Sequence, residues 1–406
     1  MRKNRHPMHG EFFQRAEAGL MVGILIAFFS VIFSFGPRAC AEKLRNIADS
    51  KEVLFGAAIK HLVLESSPDF NQKYAAHFTE SFNMATLENA HKAIYVWRGP
   101  YDYHFEEADK IVNWCIQNGI EVKYHCIIWH GDQGVPEWLR KTIGKCKGEP
   151  DFDTKADIDG DHCIESDDLR ALTKDYIEAI FAHYKGKIKY YDVFSEWADE
   201  PNWWHNNFGF DKEGHDVLEC SFKWSAAKAQ ELDMDAILIY NDYGIEDFYS
   251  QRGRKVYFKL TDLKRKSIRV DAVGFQSHFW CKELSESYLI SHIQPQFEAF
   301  HSAGLALFVS EFDASPTSYQ SETYYNYLKF CLKYGVAAFQ MWNFWDGSVW
   351  CLPPETVGCP PETECEPGLF SKSWHEKATH DAFSRVLKDF SGAYTPRSPV
   401  GLKAVE

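Results

Sequence analysis

Short runs of β-branched and aromatic residues alternate with longer amphipathic stretches from Val53 onward. The amphipathic stretches, such as 105–119 and 172–186, repeat apolar residues at helical spacing and end in glycine, as many helices do. The apolar runs predict strands at 53–58, 82–86, 122–129, 188–196, 237–242, 272–278, 305–311 and 337–344. Eight alternating units predict an α/β fold of the (β/α)8 TIM-barrel type, with one catalytic domain. An open doubly wound sheet is the alternative, but no GxGxxG motif follows the first strand.

Composition agrees with one large domain and excludes one class of partner. The chain has 406 residues, of which 45% are apolar, so it can bury a large core. Its 58 acidic and 44 basic residues give a net charge of -14, which repels phosphate backbones, so nucleic acid is not expected as a partner. The 13 tryptophans favour sugar ligands, because flat rings serve as stacking platforms. We expect a monomer.

The N-terminal segment, 1–41, has the pattern of a targeting signal. Basic residues precede an apolar run from Leu20 to Phe35, and Ala39-Cys40-Ala41 offers a small-residue cleavage site. The run is of borderline length between a signal peptide and a membrane span. The pattern therefore predicts a secreted or extracytoplasmic protein, with a retained membrane anchor as the alternative. The domain is expected to occupy 42–390, and 391–406, which lacks periodicity, is expected to be a flexible tail.

The cysteines fit an oxidising compartment. Cleavage after Ala41 would leave ten of the 11 cysteines, and the absence of a CxxC pair argues against zinc. Three cysteines lie in the Pro-rich stretch 351–365, which predicts a surface loop with a local disulfide. Three others, Cys115, Cys126 and Cys331, have apolar neighbours and could equally be buried free thiols.

Two glutamates carry the functional interpretation. Glu196 and Glu311 each end a predicted strand and each precede an aromatic residue. In a barrel enzyme the carboxyl ends of the strands carry the chemistry, and glycosidic bond cleavage needs one carboxylic acid and one carboxylate. Either residue alone could instead cap a strand and pair with a nearby base. Together they suggest a glycosidase.

The ordered motifs resemble those of the glycoside hydrolase family 10 endo-β-1,4-xylanases over roughly 52–390. The matching segments are TLENAHK at 86–92, HCIIWH at 125–130, YYDVFSE at 190–196, YNDY at 240–243, GFQSH at 274–278, SEFD at 310–313 and the pair Trp342 and Trp350. The resemblance implies a retaining endo-acting enzyme for β-1,4-xylan that requires no cofactor for catalysis. Its partner would be a polysaccharide.

The same resemblance implies roles for individual residues. Glu311 corresponds to the nucleophile and Glu196 to the acid/base, while His278 and Asp313 correspond to residues that keep Glu311 ionised and oriented. His278 could alternatively be a buried core histidine. The residues that correspond to the substrate-binding set are Glu88, Asn89, Lys92, His125, Trp129, Ser195, Asn241, Tyr243, Gln276, Trp342 and Trp350. For these residues the alternatives are a helix cap with a surface ion pair or barrel core packing.

Several departures from the family pattern concern the cleft. Ser195 stands where the family has asparagine, which bonds the 2-hydroxyl of the sugar under attack. Trp197 and Asn343 replace small residues, which predicts a narrower cleft near Glu196. Asp132-Gln133-Gly134 lengthens the loop that should carry a substrate glutamine.

An acidic segment at 157–168 has the spacing of an EF-hand loop. Its candidate ligands for a structural calcium ion are Asp157, Asp159, Asp161, the Cys163 carbonyl, Glu165 and Asp168. His162 occupies the position where the turn favours glycine, and Asp168 replaces the bidentate glutamate. A solvated loop whose last acids cap the following helix is the equal alternative.

Two functional classes therefore remain. The first is a secreted retaining endo-xylanase, from which a glycosidase for another β-glycan cannot be separated. The second is a membrane-tethered glycan-binding protein on the same barrel. The presence of Glu196, Glu311, His278 and Asp313 together favours the enzyme.

Overall fold

A computed structural model describes residues 42–64, 68–199, 201–315, 317–361, 363–391 and 394–397. Eight parallel strands line one closed barrel. They are β1 Phe55–Ile59, β2 Met84–Leu87, β3 Glu121–Tyr124, β4 Tyr190–Ser195, β5 Ile237–Asp242, β6 Ala272–Phe275, β7 Ala306–Ala314 and β8 Ala338–Met341. The eight predicted strands are confirmed, with ends that differ by up to five residues. The interpretations of 1–41 and of most of 391–406 lie outside the described residues.

Strand pairing closes the barrel and excludes the open sheet. Each strand pairs with its neighbour in sequence, and β8 returns to β1 with Phe339 opposite Phe55. Two predicted strands are each interrupted. Ile128–Trp129 pairs with β4 and His278–Phe279 pairs with β7, both beyond the main strands β3 and β6. A cis peptide bond joins His125 and Cys126 in the first interruption.

Helices cover the outside of the barrel. Their bounds are α1 Leu44–Ser50, α2 Pro68–Ser81, α3 Ala93–Val96, α4 Glu106–Gln117, α5 Glu137–Thr142, α6 Ser166–Tyr184, α7 Trp203–Phe208, α8 Val217–Glu231, α9 Gln251–Arg265, α10 Glu286–Tyr288, α11 Gln294–Ser302, α12 Gln320–Tyr334 and α13 Ala378–Asp389. A π-helical turn, Leu289–Ile293, joins α10 to α11. The helices predicted at 105–119 and 172–186 are α4 and α6. Among the described residues, no helix is long and apolar enough to cross a membrane.

The core has two layers. A small inner cluster fills the barrel with Met84, Ile239, Ala272, Phe308 and Ala338, each from a different strand. A larger outer cluster packs the strands against the helices. Because both faces of the strands are buried, every residue of β1, β2, β6 and β8 is buried, as the continuous apolar runs predict. This rigid framework fixes the loops at the carboxyl ends of the strands.

Disulfides secure three loops at the surface. Cys351 pairs with Cys365, which confirms a local disulfide in the Pro-rich stretch, while Cys359 pairs with Cys281. The third bond joins Cys146 to Cys163. Cys115, Cys126 and Cys331 are buried free thiols, as is Cys220.

Candidate active site

Glu311 lies on β7 inside the barrel mouth, where it is 4% exposed. Asn241 on β5 donates its side-chain N–H to Glu311 Oε1 at 2.6 Å. His278 Nε2 lies 3.5 Å from Glu311 Oε2, and the other ring nitrogen of His278 is 2.8 Å from Asp313 Oδ1. His125 Nδ1 is 3.9 Å from Glu311 Oε1. The carboxylate is thus surrounded by donors and positive charge.

This environment keeps Glu311 ionised. Burial by itself would raise the pKa of Glu311, but the positive charge of His125 and the hydrogen bond and charge of His278 outweigh burial and bring that pKa to about 2. Burial acts to lower the pKa of His278, yet Asp313 and Glu311 raise that pKa to about 10. Glu311 therefore remains a carboxylate, and His278 a cation, through the range between these values.

Buried polar residues beneath Glu311 fix its position. Ser310 donates its hydroxyl to Asn241 Oδ1 at 2.5 Å, so the amide of Asn241 is oriented with its N–H toward Glu311. Gly274 on β6 leaves the space for that amide, because a Cβ at Gly274 would lie 2.7 Å from Asn241 Oδ1. Asn241 itself is fully buried. The structure therefore corrects its predicted substrate contact: Asn241 positions Glu311.

His125 is held by a buried ion cluster that the sequence did not reveal. Its Nδ1 lies 2.8 Å from Asp192 Oδ2, and Lys123 Nζ is 2.5 Å from the same oxygen. Lys123 and Asp192 are fully buried within the barrel. Because Asp192 occupies one ring nitrogen, the orientation of the His125 imidazole is fixed.

Glu196 follows β4 directly, with a φ of 66° that a non-glycine residue rarely adopts. Its backbone N–H donates to the Asn241 carbonyl at 2.9 Å. Three side chains contact the carboxylate: Trp129 Nε1 donates to Oε2 at 2.8 Å, Gln276 Nε2 donates to Oε1 at 2.8 Å, and His130 Nδ1 lies 2.8 Å from Oε2. The turn at Glu196 therefore places its carboxylate within hydrogen-bond distance of three side chains.

His130 and Glu196 form an ion pair that the sequence interpretation missed. Burial acts to raise the pKa of Glu196, but the hydrogen bond and charge of His130, with the donors Gln276 and Trp129, lower it below its usual value. Burial acts to lower the pKa of His130, but Glu196 and then Asp199 raise it. These opposite shifts favour an ionised Glu196 beside a protonated His130. His130 lies in the HCIIWH motif, and its place beside Trp129 was the available signal.

Asp199 extends this pair toward the outside of the cleft. His130 Nε2 is 3.0 Å from Asp199 Oδ2, and Arg252 bridges Asp199 to Asp242. Tyr243 donates its hydroxyl to Asp199 at 3.0 Å, and the Arg252 guanidinium covers the Tyr243 ring at 3.8 Å from its centroid. Tyr243 is 39% exposed and does not line the cavity that holds the two glutamates. The predicted cleft contact of Tyr243 is therefore absent from that cavity.

One cavity of about 260 Å³ brings the remaining predicted residues together. Its lining includes Glu88, Asn89, Lys92, His125, Trp129, Ser195, Glu196, Gln276, His278, Glu311, Trp342 and Trp350. Gln133, from the lengthened loop, also lines the cavity. Both candidate catalytic carboxylates therefore face the same space.

Polar and aromatic groups flank the two carboxylates. Lys92 donates to Asn89 Oδ1 at 3.0 Å, and its ammonium lies 4.8 Å from the centre of the Trp129 ring. Glu88 pairs with Lys60 at 3.3 Å, a contact that the sequence did not indicate. A cluster with both donors and acceptors suits sugar hydroxyls, which need both.

The two tryptophans of the predicted walls differ in exposure. Trp342 is 7% exposed and packs edge-on against His125, with 5.3 Å between ring centroids. Trp350 is 40% exposed and lies 5.3 Å from the His278 ring. The exposed Trp350 ring can stack on a ligand. The Trp342 ring is nearly buried, because it packs against His125.

The expected narrowing of the cleft is not observed, because neither large replacement lines the cavity. Trp197 is 7% exposed and packs under the ammonium groups of Lys255 and Lys259. The Asn343 side chain donates to Asp313 Oδ2 at 2.8 Å and to the Trp350 carbonyl at 2.9 Å, and its Oδ1 accepts the Trp350 backbone N–H at 2.9 Å. Asn343 therefore connects the loop that carries Trp350 to the charge network of Glu311.

Ser195 occupies the asparagine position without reaching far into the cavity. Its side chain is fully buried, and Asn241 Nδ2 lies 3.4 Å from its hydroxyl.

Only three of the candidate calcium ligands in the loop at 157–168 lie close together. Carboxylate oxygens of Asp157, Asp159 and Asp168 lie within 4.8 Å of one another, whereas Asp161 and Glu165 do not join this group. Asp168 accepts the backbone N–H groups of Ile158 and Glu165 at 2.7 and 2.9 Å, so it caps α6 as the alternative interpretation states. The Cys163 side chain is in a disulfide with Cys146, which ties the loop to the chain before it.

A closed (β/α)8 barrel with two carboxylates in one cleft, one held ionised and one paired with a proton carrier, defines the molecule as a barrel glycosidase. The sequence profile of Glycosyl hydrolase family 10 matches residues 43–386, and the chain belongs to that family.

Individual relatives agree with this membership. The chain is 26% identical over 338 residues to Endo-1,4-beta-xylanase B of Thermotoga neapolitana. This match covers 80% of this chain and 87% of that protein. The crystal structure of native xylanase 10B from Thermotoga maritima has a TM-score of 0.70 at 25% identity and covers 85% of this chain and 98% of its own. Xylanase 10B from Thermotoga petrophila in complex with xylobiose has a TM-score of 0.69 at 25% identity and covers 85% and 97%.

Proposed function

We propose that the protein is an endo-acting retaining glycoside hydrolase for β-1,4-xylan. The observation that carries the proposal is the contrast between the two carboxylates of the cavity. The pKa of Glu311 is held at about 2 by His125 and His278, so Glu311 is an anion at neutral pH. Glu196 lies 2.8 Å from His130, an imidazole with a raised pKa that can carry a proton to and from it. One group suits nucleophilic attack and the other proton exchange.

The first chemical step breaks the glycosidic bond. Glu311 attacks the anomeric carbon, and the electron pair of the breaking C–O bond leaves with the departing sugar. The proton of the His130–Glu196 pair moves through Glu196 to that oxygen. A covalent glycosyl-enzyme on Glu311 results. His278, held by Asp313, and Asn241 orient the attacking carboxylate.

The second step releases the sugar. Glu196 takes a proton from water, and the oxygen of that water attacks the same anomeric carbon as the bond to Glu311 breaks. The proton then returns to the His130–Glu196 pair. Two displacements at one carbon retain its configuration, so the initial product carries the β-anomer.

The substrate is proposed from the family and from the polar cavity. Beechwood-type xylan, mixed-linkage β-glucan and mannan, incubated with the full chain, test the proposal through the release of reducing sugar. We expect oligosaccharides from xylan and none from mannan. Release from β-glucan but not from xylan would contradict the substrate, and no release from any polymer, with binding retained, would contradict the enzyme.

The His130–Glu196 pair predicts a specific pH effect. In the unaltered enzyme the pair keeps its proton until the pH rises through the raised pKa of His130. With His130→Ala, the Glu196 carboxyl alone has to hold the proton that kcat/KM requires, even though its pKa rises when the opposing charge is lost. Because a carboxyl gives up its proton at a lower pH than a paired imidazole, we expect the alkaline limb of the kcat/KM profile to move to lower pH in the variant. His215→Ala, which removes an ion pair with Asp211 outside the cavity, is the control. An unmoved limb would count against a shared proton.

We also propose that the acidic loop binds a structural calcium ion through Asp157, Asp159 and Asp168. Oxygen ligands at this spacing suit a hard cation, and ligand binding stabilises the folded state by mass action. We expect a chelator to lower the melting temperature by several degrees. Asp159→Asn should abolish that response, whereas Asp153→Asn, outside the loop, should keep it. A melting temperature that a chelator leaves unchanged would remove the calcium proposal.

Finally, we propose that the segment 1–41 directs export and is then removed. The three disulfides of the described residues support an oxidising compartment. N-terminal sequencing of the exported protein tests this proposal. A start near residue 42 is the expected result, and an intact N-terminus in the membrane fraction would instead identify an anchor.

A further inference from the structure

A second cavity, which we call the outer pocket, adjoins the catalytic cavity at the β1 and β2 side of the barrel mouth. It has a volume of about 580 Å³, and it shares Glu88, Asn89 and Tyr95 with the catalytic cavity. The other residues of its lining are Ile59, Lys60, His61, Ala90, Arg98, His104, Glu106, Glu107 and Ile111. The same three side chains line both cavities, so a ligand that contacts Glu88 and Asn89 in the catalytic cavity lies beside the outer pocket.

Tyr95 stands at the junction and is 46% exposed. It belongs to α3, and its backbone N–H donates to the carbonyl of Lys92, the residue that contacts Trp129. The same short helix therefore connects the polar residues of the catalytic cavity with the outer pocket. An exposed aromatic ring at the entrance of a polar pocket is suited to stack on a pyranose ring.

The charges of the outer pocket suit a neutral polyhydroxylated ligand. Its lining combines three basic side chains, Lys60, Arg98 and His104, with three acidic ones, Glu88, Glu106 and Glu107. Four of these groups are already paired: Lys60 and Glu88 with each other, His104 with Asp102, and Glu107 with Lys110. Arg98 is exposed, and within the described part of the chain no acidic side chain pairs with it. Its guanidinium is therefore open to donate hydrogen bonds to hydroxyl groups.

We infer that the outer pocket is an additional sugar-binding subsite, which takes a neutral pyranosyl unit of the same glycan beyond the sugar held at Glu88 and Asn89. Tyr95 stacks on that unit and Arg98 donates to its hydroxyls. The inference rests on the proposed function, because that function gives the direction in which the glycan is bound. Since Glu196 acts on the departing sugar in that function, we place the outer pocket on the side of the sugar that Glu311 holds, because it shares Glu88 and Asn89, but not Glu196, with the catalytic cavity.

Binding to the full chain that carries Glu311→Ala tests the subsite without turnover. Titration calorimetry with linear xylo-oligosaccharides, from xylobiose to xylohexaose, gives the gain in affinity for each added unit. We expect one such gain to be reduced about two- to tenfold by Tyr95→Ala, and less by Tyr95→Phe, which keeps the ring. Phe258→Ala, which removes an aromatic ring that is 67% exposed on α9, is the matched control. Equal gains with and without the Tyr95 ring would overturn the subsite.

Cleavage positions give a second measurement in the otherwise unaltered enzyme. With xylopentaose labelled at its reducing end, we expect Tyr95→Ala and Arg98→Ala to shift cleavage toward products with fewer units on the Glu311 side. An unchanged product pattern would contradict the subsite even if xylan is hydrolysed. The two proposals can also fail separately. If Tyr95→Ala reduces the gain in affinity for one added unit while the unaltered chain hydrolyses no xylan, the subsite is supported and the proposed function is contradicted.

Discussion

Replacing Glu311 with alanine is expected to lower kcat on xylan by about four orders of magnitude or more, because no covalent intermediate can form. The fold should survive with a lower melting temperature, because a carboxylate whose pKa is held at about 2 contributes to stability at neutral pH. The paired charge of His278 would remain balanced by Asp313 at 2.8 Å. Initial-rate assays with xylan, together with the melting temperature, measure both effects.

Two further measurements test whether Glu311 is the nucleophile: rescue of the variant by azide, and the stereochemistry of the product. In Glu311→Ala, azide occupies the space of the carboxylate and attacks the anomeric carbon once, so an activated aryl glycoside should yield the α-glycosyl azide. The unaltered enzyme should release the β-anomer first, as followed by NMR during the early reaction. Early α-anomer would show inversion and overturn the assignment. Glu231→Ala, at the end of α8, is the control for a surface glutamate.

Replacing Glu196 with alanine is expected to have the second largest effect, about 10²- to 10⁴-fold on xylan. The size of the effect should depend on the leaving group. A sugar leaving group needs the proton, whereas an aryl leaving group of low pKa departs without it, so the first step with an aryl xyloside should be nearly normal. The second step should then limit the rate, because no group deprotonates the attacking water.

A burst of aryl alcohol followed by a slow steady state is the expected time course for Glu196→Ala. Added azide needs no base and should accelerate that steady state, with a β-glycosyl azide as product. Equal losses on xylan and on the aryl glycoside, without a burst, would contradict the acid/base role. Gln276→Ala is the matched comparison, since it removes a 2.8 Å hydrogen bond to Glu196 and leaves the carboxylate in place.

The barrel could be predicted from the sequence because each strand is buried on both faces and each helix has a polar outer face. The strand interruptions could not be predicted in this way. The apolar runs 122–129 and 272–278 continue through the turns at His125 and Gln276, since those turns are as buried as the strands before them. An apolar pattern records burial, and burial does not distinguish a strand from the buried turn that follows it.

Glu196 and Glu311 could be predicted because each lies in a local signature at a strand end, where the fold places functional groups. Their partners were only partly predictable. His130 lies 66 residues before Glu196 in the chain and contacts it only because the segment Ile128–Trp129 pairs with β4. Asn343 was interpreted as a bulky residue in the cleft, but it connects the Trp350 loop to Asp313.

The sequence by itself therefore determined the barrel, the family resemblance and the two carboxylates, because periodicity and strand-end motifs are local properties of the chain. The tertiary structure decided which groups set the charge of each carboxylate, since a pKa depends on neighbours within a few ångströms, whatever their distance in sequence. It also decided that the outer pocket adjoins the catalytic cavity. Residues from the ends of β1 and β2 and from the start of α4 line that pocket, and only barrel closure brings them together.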